Sequence, residues 1–149
     1  LMDIRGNVPT RIGKVDQGHC KATILAMAGL NRLGIERSDV FPISIHEMVP
    51  APGQGALGVQ CREDDDRVLG HLARIDHPET RLCVVAERAF LSEYGGGCSV
   101  PAACVIIPNN GDGYTALAAA EDETGGRQLF RETGPSPMDL AQRALKALR

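Results

Sequence analysis

Residues 50–58 read PAPGQGALG, two prolines and three glycines in nine positions. Each proline removes a backbone N–H donor and biases the residue before it toward extended backbone. Each glycine weakens a helix or strand that runs through it. No regular element can cross this stretch, so it must act as a crossing or hinge between differently built parts. On its N-terminal side, Pro9 and Thr10 predict a helix start, running to about Gln17 and stopped by Gly18. KATILAMAG then predicts a buried strand over 22–26, and GLNRLG a short helical piece closed by Gly34. This helix–strand–helix order predicts part of an α/β layer.

Beyond the hinge, a strand is predicted from Ala56 to about Cys61. DDDRVLGHLARIDHP gives a short amphipathic helix that ends before Pro78. PETRLCVVAERAFLSEYGGG carries the clearest helical pattern: Leu82, Ala86, Ala89 and Phe90 share one face, while Arg81, Glu87 and Arg88 lie off it. Pro78 marks its start and Gly95 its end. Three strands are expected over 102–107, 114–120 and about 128–132, with NNGDG and EDETGG as their turns. Ser136, Pro137 and Asp139 then open a last helix as N-cap, first position and third position. Residues 79–149 therefore read as a small α+β unit with a three-stranded antiparallel sheet.

Composition limits what such a fold can do. With 3% aromatic residues and no Trp, the core must be aliphatic, and platforms for stacking bases are excluded. A net charge of −3 gives no general basic field to draw nucleic acid or an anionic membrane. No apolar run approaches the roughly 20 residues needed to span a bilayer. The five cysteines, at 20, 61, 83, 98 and 104, are odd in number and form no CxxC pair. That argues against a disulfide framework or zinc ribbon and for a reducing, cytoplasmic setting. His19, His46, His71 and His77 have no metal-ligand spacing, and no metal is expected. The chain opens on Leu1 rather than Met, and a longer parent protein is expected.

Three constellations carry candidate chemistry. In EYGGGCSVP, three glycines lead into Cys98. A buried structural thiol is the ordinary fate of a free cysteine, and Cys20, Cys61, Cys83 and Cys104 fall in apolar patterns that suit it. Cys98 does not. One glycine would close a helix; three let the backbone approach a bulky group or let a large adduct swing. In RGNVPTR, Arg5 and Arg11 flank a turn into a helix N-terminus, and Arg32 follows the next turn. Guanidinium groups beside backbone donors make a carboxylate or phosphate site. Gly53, Gly55 and Gly58 precede a strand rather than a helix. A dinucleotide loop is therefore excluded, and a hinge that brings backbone close to a ligand fits better.

RGNVPTR, ILAMAGLNRLG, PAPGQGALGVQCR, HPETRLCVVAERAFL and GGGCSVP occur in the order found in the porphobilinogen deaminase (hydroxymethylbilane synthase) family, which the chain resembles over nearly its whole length. The resemblance implies that Cys98 forms a thioether to a dipyrromethane cofactor assembled from porphobilinogen. A thiolate suits capture of the electrophile left when porphobilinogen loses ammonia. It implies that four further units join head to tail, that Arg5, Arg11 and Arg32 hold the carboxylates of the cofactor and the growing polypyrrole chain, and that Gly53 and Gln54 contact the cofactor. It implies a monomer of three domains, twice this length. Residues 1–49 would be the latter part of domain 2, and residues 50–77 the hinge, return strand and helix of domain 1. Those two would belong to an α/β unit like that of periplasmic binding proteins. Residues 78–149 would be the α+β C-terminal domain carrying the cofactor cysteine.

The resemblance places the catalytic aspartate in an N-terminal half outside these residues. No catalytic residue is therefore nominated here, Asp64 to Asp66 reading as a solvated helix start, and the isolated fragment is expected to be inactive. Pro9 stands where a polar residue is expected in many relatives. Two alternatives stay open: a small regulatory module that binds an anionic metabolite, and a redox sensor using Cys98 and Cys104.

Overall fold

The structure, a computed structural model, describes residues 1–95 and 100–149. The Cys98 candidate lies outside the described residues. By internal contacts the chain divides into Leu1–Ile43 and Ser44–Arg149.

The first unit contains helices α1 (Val8–Asp16) and α2 (Met27–Arg32). Helix α1 begins where Asn7 caps it: the Asn7 side-chain oxygen accepts from the Thr10 N–H at 3.0 Å and from the Thr10 hydroxyl at 2.6 Å. An Asx cap of this kind satisfies a donor that the helix itself leaves orphaned. Pro9 sits inside the first turn, where its missing N–H costs nothing. Arg37 ties the end of α1 to a later turn. It donates to both carboxylate oxygens of Asp16, at 2.8 and 3.1 Å, and to both of Asp39, at 2.8 and 2.7 Å. Those bonds hold the Asp39 carboxyl below the usual carboxylate range. Leu30 on α2 is the one fully buried apolar residue of this unit.

The expected strand over 22–26 does not form; the segment carries no regular structure and pairs with nothing among the described residues. Ile24 is left 64% exposed. Strand propensity alone does not make a strand, which also needs a neighbour to take its N–H and C=O groups.

The second unit holds α3 (Asp66–Leu72), α4 (Pro78–Tyr94), β1 (Ala102–Pro108), β2 (Tyr114–Glu121), β3 (Arg127–Gly134) and α5 (Pro137–Ala147). The sheet is antiparallel in the order β1-β2-β3. Cys104 faces Ala118 and Ile106 faces Ala116 across the first pair; Ala118 faces Phe130 across the second. Helix α4 packs on β1 and α5, and α5 packs on β2 and β3. The core joins Cys83, Ala86 and Phe90 of α4, Cys104 and Ile106 of β1, three alanines of β2, and Leu140, Ala141, Ala144 and Leu145 of α5. Small residues on β2, three of them buried alanines, leave room for the helices against the sheet. Phe90 and Tyr94 stack at 5.6 Å between centroids, and the Tyr94 hydroxyl donates to the Leu148 carbonyl.

The expected caps and turns are present here. Ser136 caps α5 by accepting from the Asp139 N–H; Asp65, read only as part of a solvated helix start, caps α3 by accepting from the Val68 N–H. The expected strand over 56–61 is not formed. Leu57 and Val59 remain exposed, for the same want of a neighbouring strand. Among the described residues, no helix is long and apolar enough to cross a membrane.

Candidate functional site

In the first unit, α1 and the turn before it bring together Arg5, Gly6, Arg11 and Lys14. The Arg11 Nε donates to the Gly6 carbonyl at 2.9 Å, and the Lys14 Nζ donates to the Arg5 carbonyl at 2.9 Å. Gly6 has φ +123°, and a Cβ there would lie 2.6 Å from the Thr10 side chain, so the turn requires glycine. Arg11 thus spends one nitrogen on fixing its own fork. Its terminal nitrogens have no hydrogen-bond or ion-pair partner among the described residues. Of the four arginines in this unit, Arg37 alone is in an ion pair; Arg5, Arg11 and Arg32 are in none among the described residues. Arg32 is exposed in the last turn of α2, with no bond to the Arg5–Arg11 turn. The backbone donors expected at the start of α1 are partly used: the Thr10 N–H goes to Asn7. Lys14 was missed by the sequence reading, although its position one turn beyond Arg11 places it on the same helix face.

This donor set fits a ligand rich in carboxylates. Such a group needs several unpaired cations in one region, at least one with its planar fork held in place.

In the second unit, Gly53 and Gln54 lie in a segment fastened to the outer edge of β1. The Cys104 N–H donates to the Pro50 carbonyl at 3.2 Å. The Ile106 N–H, two residues on and facing the same edge, donates to Glu87 Oε1 at 2.7 Å. The Gly53 N–H donates to Glu87 Oε2, also at 2.7 Å. The Gly53 donor is therefore already committed, and the Gln54 N–H goes to the Ala51 carbonyl. What this turn can offer a ligand is the exposed Gln54 side chain and the close approach that Gly53 permits.

Glu87 corrects the sequence reading, which put it off the apolar face of α4. It is 4% exposed, inside the core side of the helix. Burial pushes its carboxyl above the ordinary value, and the two backbone donors oppose that. Between the ordinary and the raised value the folded chain holds more protons than the unfolded one. This group's contribution to stability therefore falls as pH rises through that window.

Two depressions flank this segment. One, of about 450 Å³, lies between the hinge and α4, with Leu57, Val84 and Arg88 among its walls. The other, of about 550 Å³, is lined by Val49, Val100, Pro101, Glu121 and Arg127. Leu91 and Ser92 also line the first, and Pro101 the second.

Of the described cysteines, Cys83 and Cys104 are buried, and Cys20 and Cys61 are half-buried. Burial, and then the nearby Glu87 charge, pushes the Cys104 thiol up to about 12. The Cys83 thiol is raised by burial first and by Glu87 and Glu79 after it. A thiol so raised carries almost no thiolate near neutrality, and thiolate is the reactive form. In the native chain at pH 8, Cys104 is expected to react with iodoacetamide about 100-fold or more slowly than Cys20 or Cys61. Mass mapping of labelled peptides measures this, and comparable rates would contradict it.

Residues 1–70 match the family model described as porphobilinogen deaminase, dipyromethane cofactor binding domain. Residues 81–118 match porphobilinogen deaminase, C-terminal domain. The porphobilinogen deaminase of Coxiella burnetii (strain Dugway 5J108-111) is 46% identical over 144 residues, which cover 96% of this chain and 46% of that protein. The chloroplastic porphobilinogen deaminase of Pisum sativum is 42% identical over 135 residues, 91% of this chain and 33% of that protein. The corresponding protein of Oryza sativa subsp. japonica is 38% identical over 143 residues, 94% of this chain and 39% of that protein. The chain thus spans less than half the length of these curated relatives, in the order cofactor-binding domain and then C-terminal domain. With both family models matched in that order and the arginine turn and hinge in place, the chain belongs to the porphobilinogen deaminase family.

Proposed function

We propose that this chain works as part of a tetrapyrrole-forming transferase that condenses four porphobilinogen units head to tail into hydroxymethylbilane, releasing ammonia. The observation that carries this reading is the Arg5–Gly6–Arg11–Lys14 cluster, with cations left unpaired inside the matched cofactor-binding domain. Arg5, Arg11 and Arg32, with Lys14, would hold carboxylates of the dipyrromethane cofactor and of the growing chain. When bound, that group supplies the primer on which pyrroles are joined; Cys98 is the residue that would hold it covalently. Gln54 would reach it from the hinge. The arginines bind and orient acid groups, and the buried hinge contacts keep Gln54 at a fixed height on the sheet edge.

The finer architecture belongs to the same reading. Residues 1–49 would complete domain 2, 50–77 would supply the hinge and return segment of domain 1, and 78–149 would form the domain that carries the thiol. The partner of this chain is then an N-terminal half of the same protein. The exposed Ile24, Leu57 and Val59 support this, being apolar groups on segments with strand-like sequence and no sheet neighbour among the described residues. A monomer in a reducing, cytoplasmic setting is part of the proposal, because the chemistry needs a free thiol at position 98.

The intact mass of the full-length protein after exposure to porphobilinogen tests the reading. An added mass equal to two condensed pyrroles is expected, with hydroxymethylbilane in solution. A bare mass would favour the anionic-metabolite module, and loss of two hydrogens the Cys98/Cys104 sensor; either would overturn the proposal.

A further inference from the structure

Glu87 is a buried carboxylate with no cation within ion-pair distance among the described residues. Its two oxygens are instead each taken by a backbone N–H, one from Ile106 and one from Gly53, 19 and 34 residues away in sequence. Burying a carboxylate without a cation is costly unless its oxygens are satisfied, and its retention in the core calls for a reason.

The sheet supplies one. β1 is an edge strand, with β2 on one side only. In an antiparallel ladder, alternate residues point their N–H groups to the same edge. The outward-facing donors of Cys104 and Ile106 therefore need acceptors. The Pro50 carbonyl serves the first and Glu87 serves the second. The hinge thus runs along the open edge of β1, and the carboxylate spans the gap where the hinge's own backbone turns away. Gly53 makes that turn with φ +73°. A carboxylate accepts at both oxygens, whereas a carboxamide of the same size accepts at one and presents a donor at the other. Two N–H groups facing one side chain require Glu and reject Gln.

We propose that Glu87 is a positioning residue, a two-acceptor clasp that fastens the 50–53 segment to the edge of β1 and so sets where Gly53 and Gln54 stand relative to α4, the helix that precedes Cys98 in the sequence. That this placement serves pyrrole condensation rests on the function proposed above; the clasp itself does not.

Glu87→Gln in the full chain, read by amide hydrogen exchange, separates the two. Ile106 is held by its strand and its buried side chain, so the remaining carbonyl goes to Ile106 and Gly53 loses its acceptor. The Gly53 amide is expected to exchange about tenfold or more faster, while amides in the middle of β2, such as Leu117, stay within about twofold. Glu87→Ala should free Gly53 and Ile106 together. If Gly53 exchange is unchanged in Glu87→Gln, the clasp is wrong, whatever the protein catalyses. In the full-length protein Glu87→Gln is then expected to leave covalent loading of Cys98 intact but to lower kcat for porphobilinogen by about tenfold, with KM changed less. Faster Gly53 exchange with unaltered kcat would overturn the positioning role while leaving the clasp standing. Absence of any turnover by the unsubstituted protein would overturn the function and leave the exchange result to decide the clasp.

Discussion

Cys98→Ala in the full-length protein is expected to carry no added pyrrole mass and to lose turnover of porphobilinogen down to background. The physical case is one of elimination joined to sequence context. Capture of a carbon electrophile needs a thiolate that is accessible and not suppressed by its surroundings. Cys83 and Cys104 lie in the core of the second unit, their thiols raised by burial and by the Glu87 charge beside them. Cys20 and Cys61 are half-buried, in segments whose apolar patterns suit structural thiols. Cys98 alone follows a run of three glycines, on the C-terminal side of the helix that bears Glu87 in the sequence. Single alanine substitutions of the other four cysteines should each leave loading complete. Cys98→Ser keeps the size but gives a far weaker nucleophile and should load little or nothing. Mass spectrometry of the purified variants after incubation with porphobilinogen decides it: a dipyrrole retained on Cys98→Ala would end the assignment.

What could be read from the sequence divides along a physical line. Local chemistry was legible. Ser136 with Pro137, Asp65, and Pro78 with Gly95 each act within a turn of where they stand, and the strand turns NNGDG and EDETGG fall where glycine and Asx residues put them. The cap of α4 is the exception. His77 Nδ1 accepts from the Thr80 N–H at 3.2 Å and meets the Thr80 hydroxyl at 2.8 Å, a task usually given to Ser, Thr, Asp or Asn. Its signal was its place directly before Pro78.

Non-local pairing was not legible. Segments 22–26 and 56–61 have the apolar, β-branched character of strands, yet without a neighbour to hydrogen-bond they form no strand. Glu87 misled for the same reason. Helical periodicity placed it off the apolar face. What draws a charged residue inward is a pair of donors at positions 53 and 106, and neither is visible from the helix's own pattern. Arg11 and Arg5 were legible as a pair because they flank one turn, and Lys14 could have joined them on spacing alone.

That cluster carries the second large effect. Arg11→Leu in the full-length protein is expected to lower kcat/KM for porphobilinogen by about 10- to 150-fold, since a charge-assisted hydrogen bond to a carboxylate is worth about 1.5–3 kcal/mol. Folding stability should change much less. Arg11 is half-buried, and the one bond that would be lost, from Nε to the Gly6 carbonyl, is a single exposed contact beside a turn that Asn7 and Lys14 also hold. A purely structural Arg11 would show the reverse, with a lower unfolding midpoint and kinetics unchanged for the folded fraction. Arg11→Lys separates charge from geometry. The ammonium can still attract a carboxylate, but it cannot donate from Nε to Gly6 while offering a planar fork outward, so it should restore only part of the loss. If Arg11→Leu matches the unsubstituted protein in kcat/KM and in the fraction bearing cofactor, the cluster binds no acid group of the substrate or the cofactor, and the unpaired guanidinium at the start of α1 is solvated surface.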